Sequence, residues 1–128
     1  MKKECQDLHK NFLFFNKNKR PYIILKWAQS KNNFFSPDKK VKNKPYWISS
    51  KKSRQLVHKW RSEEHAILVG YNTVIIDNPY LNVRNWGGNS PTRIIVDLEN
   101  KLDNKLNFFN SKSKTIKITN DYIDPSND

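Results

Sequence analysis

The chain has 128 residues and a formal net charge of +12, from 24 Lys and Arg against 12 Asp and Glu, with 36% of its residues apolar. That length supports one compact core, and four Trp, five Tyr and seven Phe supply large packing surfaces, which sets the chain apart from disordered sequences. A single cysteine, Cys5, excludes an internal disulfide and a Cys-rich zinc site, and no apolar run is long enough to cross a bilayer.

Lysine and asparagine recur together through the connecting stretches, as in KNKPYW and NKLNFFNSKSK. Spread in this way the charge reads as a generally basic surface. A nucleic-acid footprint would gather it on one face beside a reading element, and the aromatics are not interleaved with lysines as a stacking platform. Nucleic acid is therefore the less favoured partner, whereas small phosphorylated anions are attracted in either case. The polar MKKECQDLHK start lacks the apolar core of a signal peptide, so a cytoplasmic location is expected.

Within residues 1–20, Leu8, Phe12 and Phe15 recur at helical intervals and predict a helix near Asp7–Phe15. Its aromatic side is read either as docking on a neighbouring domain or as folding over its own core. Pro21 then introduces YIILKWA, a short apolar run with a β-branched middle, which predicts a buried strand. Gln29 and Ser30 follow at its carboxyl end, where ligands meet open α/β sheets. Residues 32–44 read as a connection broken by Pro37, and Tyr46–Ile48 as a brief strand. On composition alone Trp47 is read as core.

Ser49 or Ser50 caps a predicted helix. Helical spacing puts Leu56, Val57 and Trp60 on one side, Arg54 and His58 on the other, and Arg61 at the boundary. The planar donor array of Arg61 suits a phosphate or a polar heterocycle, and an exposed salt bridge is the alternative. His58 and His65 make no metal pair and are read as structural or surface residues. Ala66–Val69 predicts a second buried strand, and Gly70 a tight exit. YNTVIID is open between helix and extended chain, but in both Thr73 and Asp77 share a side. Asp77 is read as a ribose or loop contact, or as a plain cap before Pro79. Arg84 is read as meeting a substrate phosphate or as simply solvent-exposed.

The segments RPYIILKWAQS, YWISSKKSRQLVHKWRSEEHAILVGYNTVIIDNPYLNVR and PTRIIVD together resemble the reductase domain of the bifunctional riboflavin-biosynthesis deaminase–reductase of the RibD/RibG type. NTVxxDNPxLxVR is the most telling part. The resemblance implies a partial dihydrofolate-reductase-like α/β domain with a mostly parallel central sheet. Residues 1–20 then form a junction that follows a deaminase domain, and residues 21–128 the N-terminal portion of the reductase. It implies NADPH as cofactor, reducing the ribosyl part of 5-amino-6-(5-phosphoribosylamino)uracil. It places Gln29, Trp47, Thr73, Asp77 and Leu98 near NADPH, with Asp97 at a strand terminus beside it. It places Arg61, Leu81 and Arg84 near the phosphorylated pyrimidine. Pro45 stands where related reductases present a small hydroxyl residue. The family's later sheet strands, Gly-rich cofactor loop and acidic substrate contact have no counterpart to assign here. Neither does its zinc deaminase centre, which one cysteine cannot build.

Beyond Arg84, WGGNSPTR reads as a loop, Thr92–Asp97 as a buried strand, Lys101–Phe109 as turns or a helix, and Thr115–Thr119 as a further strand before the polar DYIDPSND. No catalytic acid is assigned. The sequence reading leaves a reductase that is incomplete on its own. A homodimer, a separately encoded complementary half, a non-catalytic complementation fragment and a basic nucleic-acid-binding module stay open as alternatives.

Overall fold

The computed structural model describes residues 2–35, 46–110 and 113–120. Pro37, Pro45 and the terminal DYIDPSND lie outside the described residues. Helices α1 (Lys2–Leu8) and α2 (Lys10–Asn18) come first, then α3 (Lys51–Glu63), β1 (Ala66–Val69), α4 (Tyr71–Asp77), β2 (Thr92–Val96), a single 3-10 turn at Asn107–Phe109, and β3 (Thr115–Ile118). The sheet order is β1-β2-β3 and both pairs are parallel. Ala66 stands opposite Thr92 and Arg93 opposite Thr115. The architecture is an α/β fold with a parallel central sheet.

Parallel neighbours need a crossover, and here the two crossovers build the core. The first carries α4 and the second carries the 3-10 turn. Val74 from α4, Leu81 from the following loop, Ile95 from β2, and Leu102 and Phe108 from the second crossover form one buried cluster. Ile67, Val69 and Leu106 pack around it, and the Phe108 and Phe109 rings meet edge-on at 5.3 Å. Burying a side chain such as Phe108 contributes on the order of 1.5–3 kcal/mol. The opposite face of the sheet exposes Leu68, Val96, Ile116 and Ile118, so the strands predicted as buried are buried on one side only.

Three expectations from the sequence are corrected. YIILKWA forms no strand: residues 21–30 are irregular, and Ile23, Ile24, Leu25 and Trp27 are exposed. An apolar run becomes a strand only against a neighbour that takes its backbone hydrogen bonds, and β1 and β2 have theirs in each other. Tyr46–Ile48 forms no strand either. Helix α3 is turned the other way round: His58 is its buried residue, whereas Leu56 and Trp60 are exposed.

The expected cap of α3 holds, and the open choice for YNTVIID is decided. Ser50 caps α3, its hydroxyl accepting from Ser53 N at 3.2 Å. YNTVIID is helical. The N-terminal helix divides into two at His9, although Leu13 N still donates to His9 O at 2.9 Å. Among the described residues no helix is long and apolar enough to cross a membrane.

Candidate functional site

The loop after α4 holds two non-glycine residues at positive φ. Asn78 closes α4 in the left-handed region, with φ 41°. Its side-chain Oδ1 accepts from Asn107 N at 2.7 Å, and its carbonyl accepts from Asn107 Nδ2 at 3.1 Å. Leu81 has φ 51°, a conformation that costs a bulky residue roughly 1–2 kcal/mol. Burial of its side chain in the core offsets that cost.

Arg93 holds the same loop from beneath. This β2 residue is fully buried and its guanidinium meets an all-oxygen shell. Nη1 donates to Tyr80 O at 3.2 Å and Asn110 Oδ1 at 3.3 Å, Nη2 to Asn110 O and Ser113 O at 2.6 Å each, and Nε to Thr115 Oγ1 at 3.1 Å. Burial lowers its affinity for the proton, and the acceptors compensate for lost hydration. One side chain thereby ties the loop of Tyr80 to the second crossover and β3.

The next stretch lies on α3. Arg61 Nη1 donates to Asn82 O at 3.4 Å, and Arg84 N donates to His58 Nδ1 at 3.4 Å. Val83 N donates to Ser90 Oγ at 2.9 Å, which closes the loop on itself. Gly88 touches α3 directly. At φ 109°, a Cβ there would stand 2.9 Å from Ser62 Cβ, so only glycine lets loop and helix approach this closely.

This docking brings Arg61 and Arg84 together. Neither guanidinium has a carboxylate partner among the described residues; Arg84 Nη1 donates to Asn82 Oδ1 at 2.9 Å, and Arg61 Nε is buried with no partner. Burial first, and the Arg84 charge second, lower the Arg61 pKa from its ordinary value. Two like charges and an unsatisfied buried donor at one place form an anion-seeking arrangement.

Thr73 is exposed and Asp77 half-buried, both on α4. Leu81 is in the core rather than on a surface. Trp47 is half-exposed, with Arg54 Cζ 4.5 Å from its ring centroid. The Gln29 amide is engaged within its own segment, accepting from Trp27 Nε1 and donating to Asn33 Oδ1, both at 3.1 Å. Leu98 is half-exposed, and its carbonyl accepts from Asn120 N at 3.1 Å. Asp97 is buried and spent internally, accepting from Lys101 N at 3.1 Å and Leu102 N at 2.9 Å. Of the residues named from sequence, Arg61 and Arg84 are the pair this docking unites. Among the described residues no three His, Cys, Asp or Glu side chains gather as metal ligands. A groove of about 410 Å³ lies elsewhere, along α1 and α2, lined by Cys5, Gln6, His9, Phe12 and Leu13.

Comparison with known proteins adds the ancestry. The RibD C-terminal domain family matches residues 21–127. The chain belongs to this family. It is 38% identical over 118 residues to the riboflavin biosynthesis protein RibD of Aquifex aeolicus, covering 91% of this chain and 32% of that protein. It is 35% identical over 100 residues to the chloroplastic riboflavin biosynthesis protein PYRR of Arabidopsis thaliana, covering 77% and 16%. The solved structure of a diaminohydroxyphosphoribosylaminopyrimidine deaminase/5-amino-6-(5-phosphoribosylamino)uracil reductase from Thermotoga maritima superposes with a TM-score of 0.76 at 32% identity, covering 93% of this chain and 33% of that one. The chain thus spans about a third or less of each of these relatives.

Sequence reasoning missed His58, Gly88 and Arg93 in this RibD-type domain. His58 precedes Arg61 by three positions, so any helix that turns Arg61 toward a groove turns His58 with it. That phase was available in VHKWR and was overridden by the apolar one. Gly88 sat in WGGNSPTR, read as a loop. Arg93 had no signal: in TRIIV a cation alternates with Ile94 and looks like a solvent-facing residue.

Proposed function

We propose that this domain takes part in an NADPH-dependent reduction of a phosphorylated aminopyrimidine, and that Arg61 and Arg84 hold the substrate's phosphate. The observation that carries the reading is the guanidinium pair, which has no carboxylate partner among the described residues, with the partnerless Arg61 Nε. Family membership supports the chemical class, and the Thermotoga relative is named as a 5-amino-6-(5-phosphoribosylamino)uracil reductase.

A dianion between the two cations removes their mutual repulsion and supplies the acceptor that Arg61 Nε lacks. The phosphate then fixes the far end of the substrate, so that binding energy spent there orients the ribosyl carbon. Leu81 supports this apolar-side geometry from within the core, by fixing the backbone that leads to Arg84.

The residues assigned to the cofactor fit a dinucleotide in chemistry. Trp47 offers an exposed flat ring, Arg54 a cation stacked on it, and Thr73 an exposed hydroxyl. Asp77, Gln29 and the backbone at Leu98 complete the set. NADPH, when bound, supplies the hydride; the chain's own residues position, and none is assigned as an acid. The test is NADPH oxidation with the phosphorylated aminopyrimidine, using this chain and the same chain joined to the part of the Aquifex relative that follows its matched region. We expect turnover at least in the joined protein, lost in Arg61→Ala and Arg84→Ala. No oxidation in either protein would end the reading.

A second reading rests on residues 21–29. Their exposed Ile23, Ile24, Leu25 and Trp27 suit pairing with a strand supplied in trans, which would make the chain a complementing half.

A further inference from the structure

We propose that His58 is a positioning residue that latches the backbone of Asn82–Arg84 onto α3 and thereby sets the separation of the Arg61 and Arg84 guanidiniums for a phosphate-class dianion. The proposal rests on the anion-binding reading of those two arginines. His58 is the buried residue of a helix whose apolar Leu56 and Trp60 face out, so packing demand does not explain an imidazole there. What it touches does. Its Nδ1 receives the Arg84 N–H, and its neighbour one turn on, Arg61, reaches Asn82 O, two residues back along the loop. The helix thus grips the loop at two points, and the arginine on each element is carried to the other.

The chemistry of the latch explains the choice of residue. The position needs an acceptor for a backbone N–H beside two cations. A carboxylate would accept that bond more strongly, yet it would pair with the guanidiniums and cancel the field a ligand needs. A lysine or arginine has no acceptor. Neutral imidazole accepts at Nδ1, keeps its proton on Nε2, and leaves both positive charges for the ligand. Burial and the charges of Arg61 on α3 and Arg84 on the loop favour this neutral ring, while the Asn82 carbonyl, as a hydrogen-bond acceptor, pulls the other way. Gly88 packed on Ser62 keeps the far end of the loop close, so the latch closes a gap that is already short.

The experiment titrates inorganic phosphate into the full chain at constant pH, read by NMR at the arginine side chains. We compare the wild type with His58→Leu, which removes the acceptor, and His58→Asn, whose side-chain oxygen restores one near Nδ1. Losing a latch bond of ordinary strength should weaken phosphate binding about tenfold in His58→Leu, with His58→Asn within about twofold of wild type. A second measurement, the nitrogen chemical shifts of His58 in the wild type, should show a neutral ring protonated on Nε2; it holds even where His58→Leu does not fold. Undiminished phosphate binding by a folded His58→Leu, or a ring protonated on Nδ1, overturns the latch. If the wild type does not bind phosphate, or Arg61→Ala and Arg84→Ala bind it as tightly, the anion site itself is wrong. Loss in the arginine variants with none in His58→Leu overturns the latch alone.

Discussion

Two apolar stretches of this chain look alike in sequence and end differently. TRIIV becomes β2, laddered on both sides, with Ile95 fully buried. YIILKWA has the same β-branched middle and forms no strand, leaving Leu25 among the most exposed apolar side chains. Strand propensity describes fitness for a half-buried pleated surface rather than a backbone preference, so the difference is made by neighbours. The region from Ala66 to Ile118 supplies its own: three strands and two crossovers that share one core.

The sharpest way to break that comparison is Arg93. Replacing it with Met keeps the volume and strips the donors from Tyr80 O, Asn110 O, Ser113 O and Thr115 Oγ1 at once. Orphaning several buried acceptors should cost on the order of 3–5 kcal/mol in urea unfolding. A loss under about 1 kcal/mol would mean that water enters and the clamp is not structural. Next comes the paired test of the two stretches. Ile95→Ala should cost about 2–5 kcal/mol, while Leu25→Ala should stay within about 0.5 kcal/mol. Equal losses would show that residues 21–29 are packed in solution.

Gly88→Ala probes the contact that joins loop to helix. The positive φ and the approach to Ser62 Cβ together predict a loss of about 1–3 kcal/mol, accompanied by weaker phosphate binding because the loop carries Arg84. Normal binding with lowered stability would separate the loop's packing from its role in the arginine pair. Ser50→Ala, which removes the α3 cap without touching the loop, should cost about 1 kcal/mol and leave phosphate binding alone.

These contrasts show what the sequence could and could not say. Elements with their own local chemistry were legible: the Ser50 cap, β1 and β2. Whatever depended on a distant partner was not. Apolar spacing turned α3 by its Leu56–Trp60 side, yet the helix meets a polar loop and buries His58 against it. The role of Arg93 was not legible because nothing near it in sequence announces acceptors lying up to 22 residues away. The same limit hid the fate of YIILKWA, since periodicity carries no information about the strand beside it.

The smallest predicted effect is a pH dependence that isolates His58. Burial, then the charges of Arg61 and Arg84, hold its pKa below the ordinary 6.5, against the opposing pull of the Asn82 carbonyl. Below that ordinary value the unfolded chain takes up the proton first, so it binds more protons than the folded chain and stability falls as pH falls. The loss from this group ends once pH passes below the folded-state pKa, and above 6.5 it contributes no slope. The slope cannot exceed about 1.4 kcal/mol per pH unit, the value for one whole proton. His58→Asn should flatten it. Added sulfate, which stays a dianion across this range, offers a finer cut: it shields the arginine charges but not the burial. Because burial is the larger cause, the slope should shrink in sulfate and persist, whereas complete loss would place the arginines first and make the latch chiefly electrostatic.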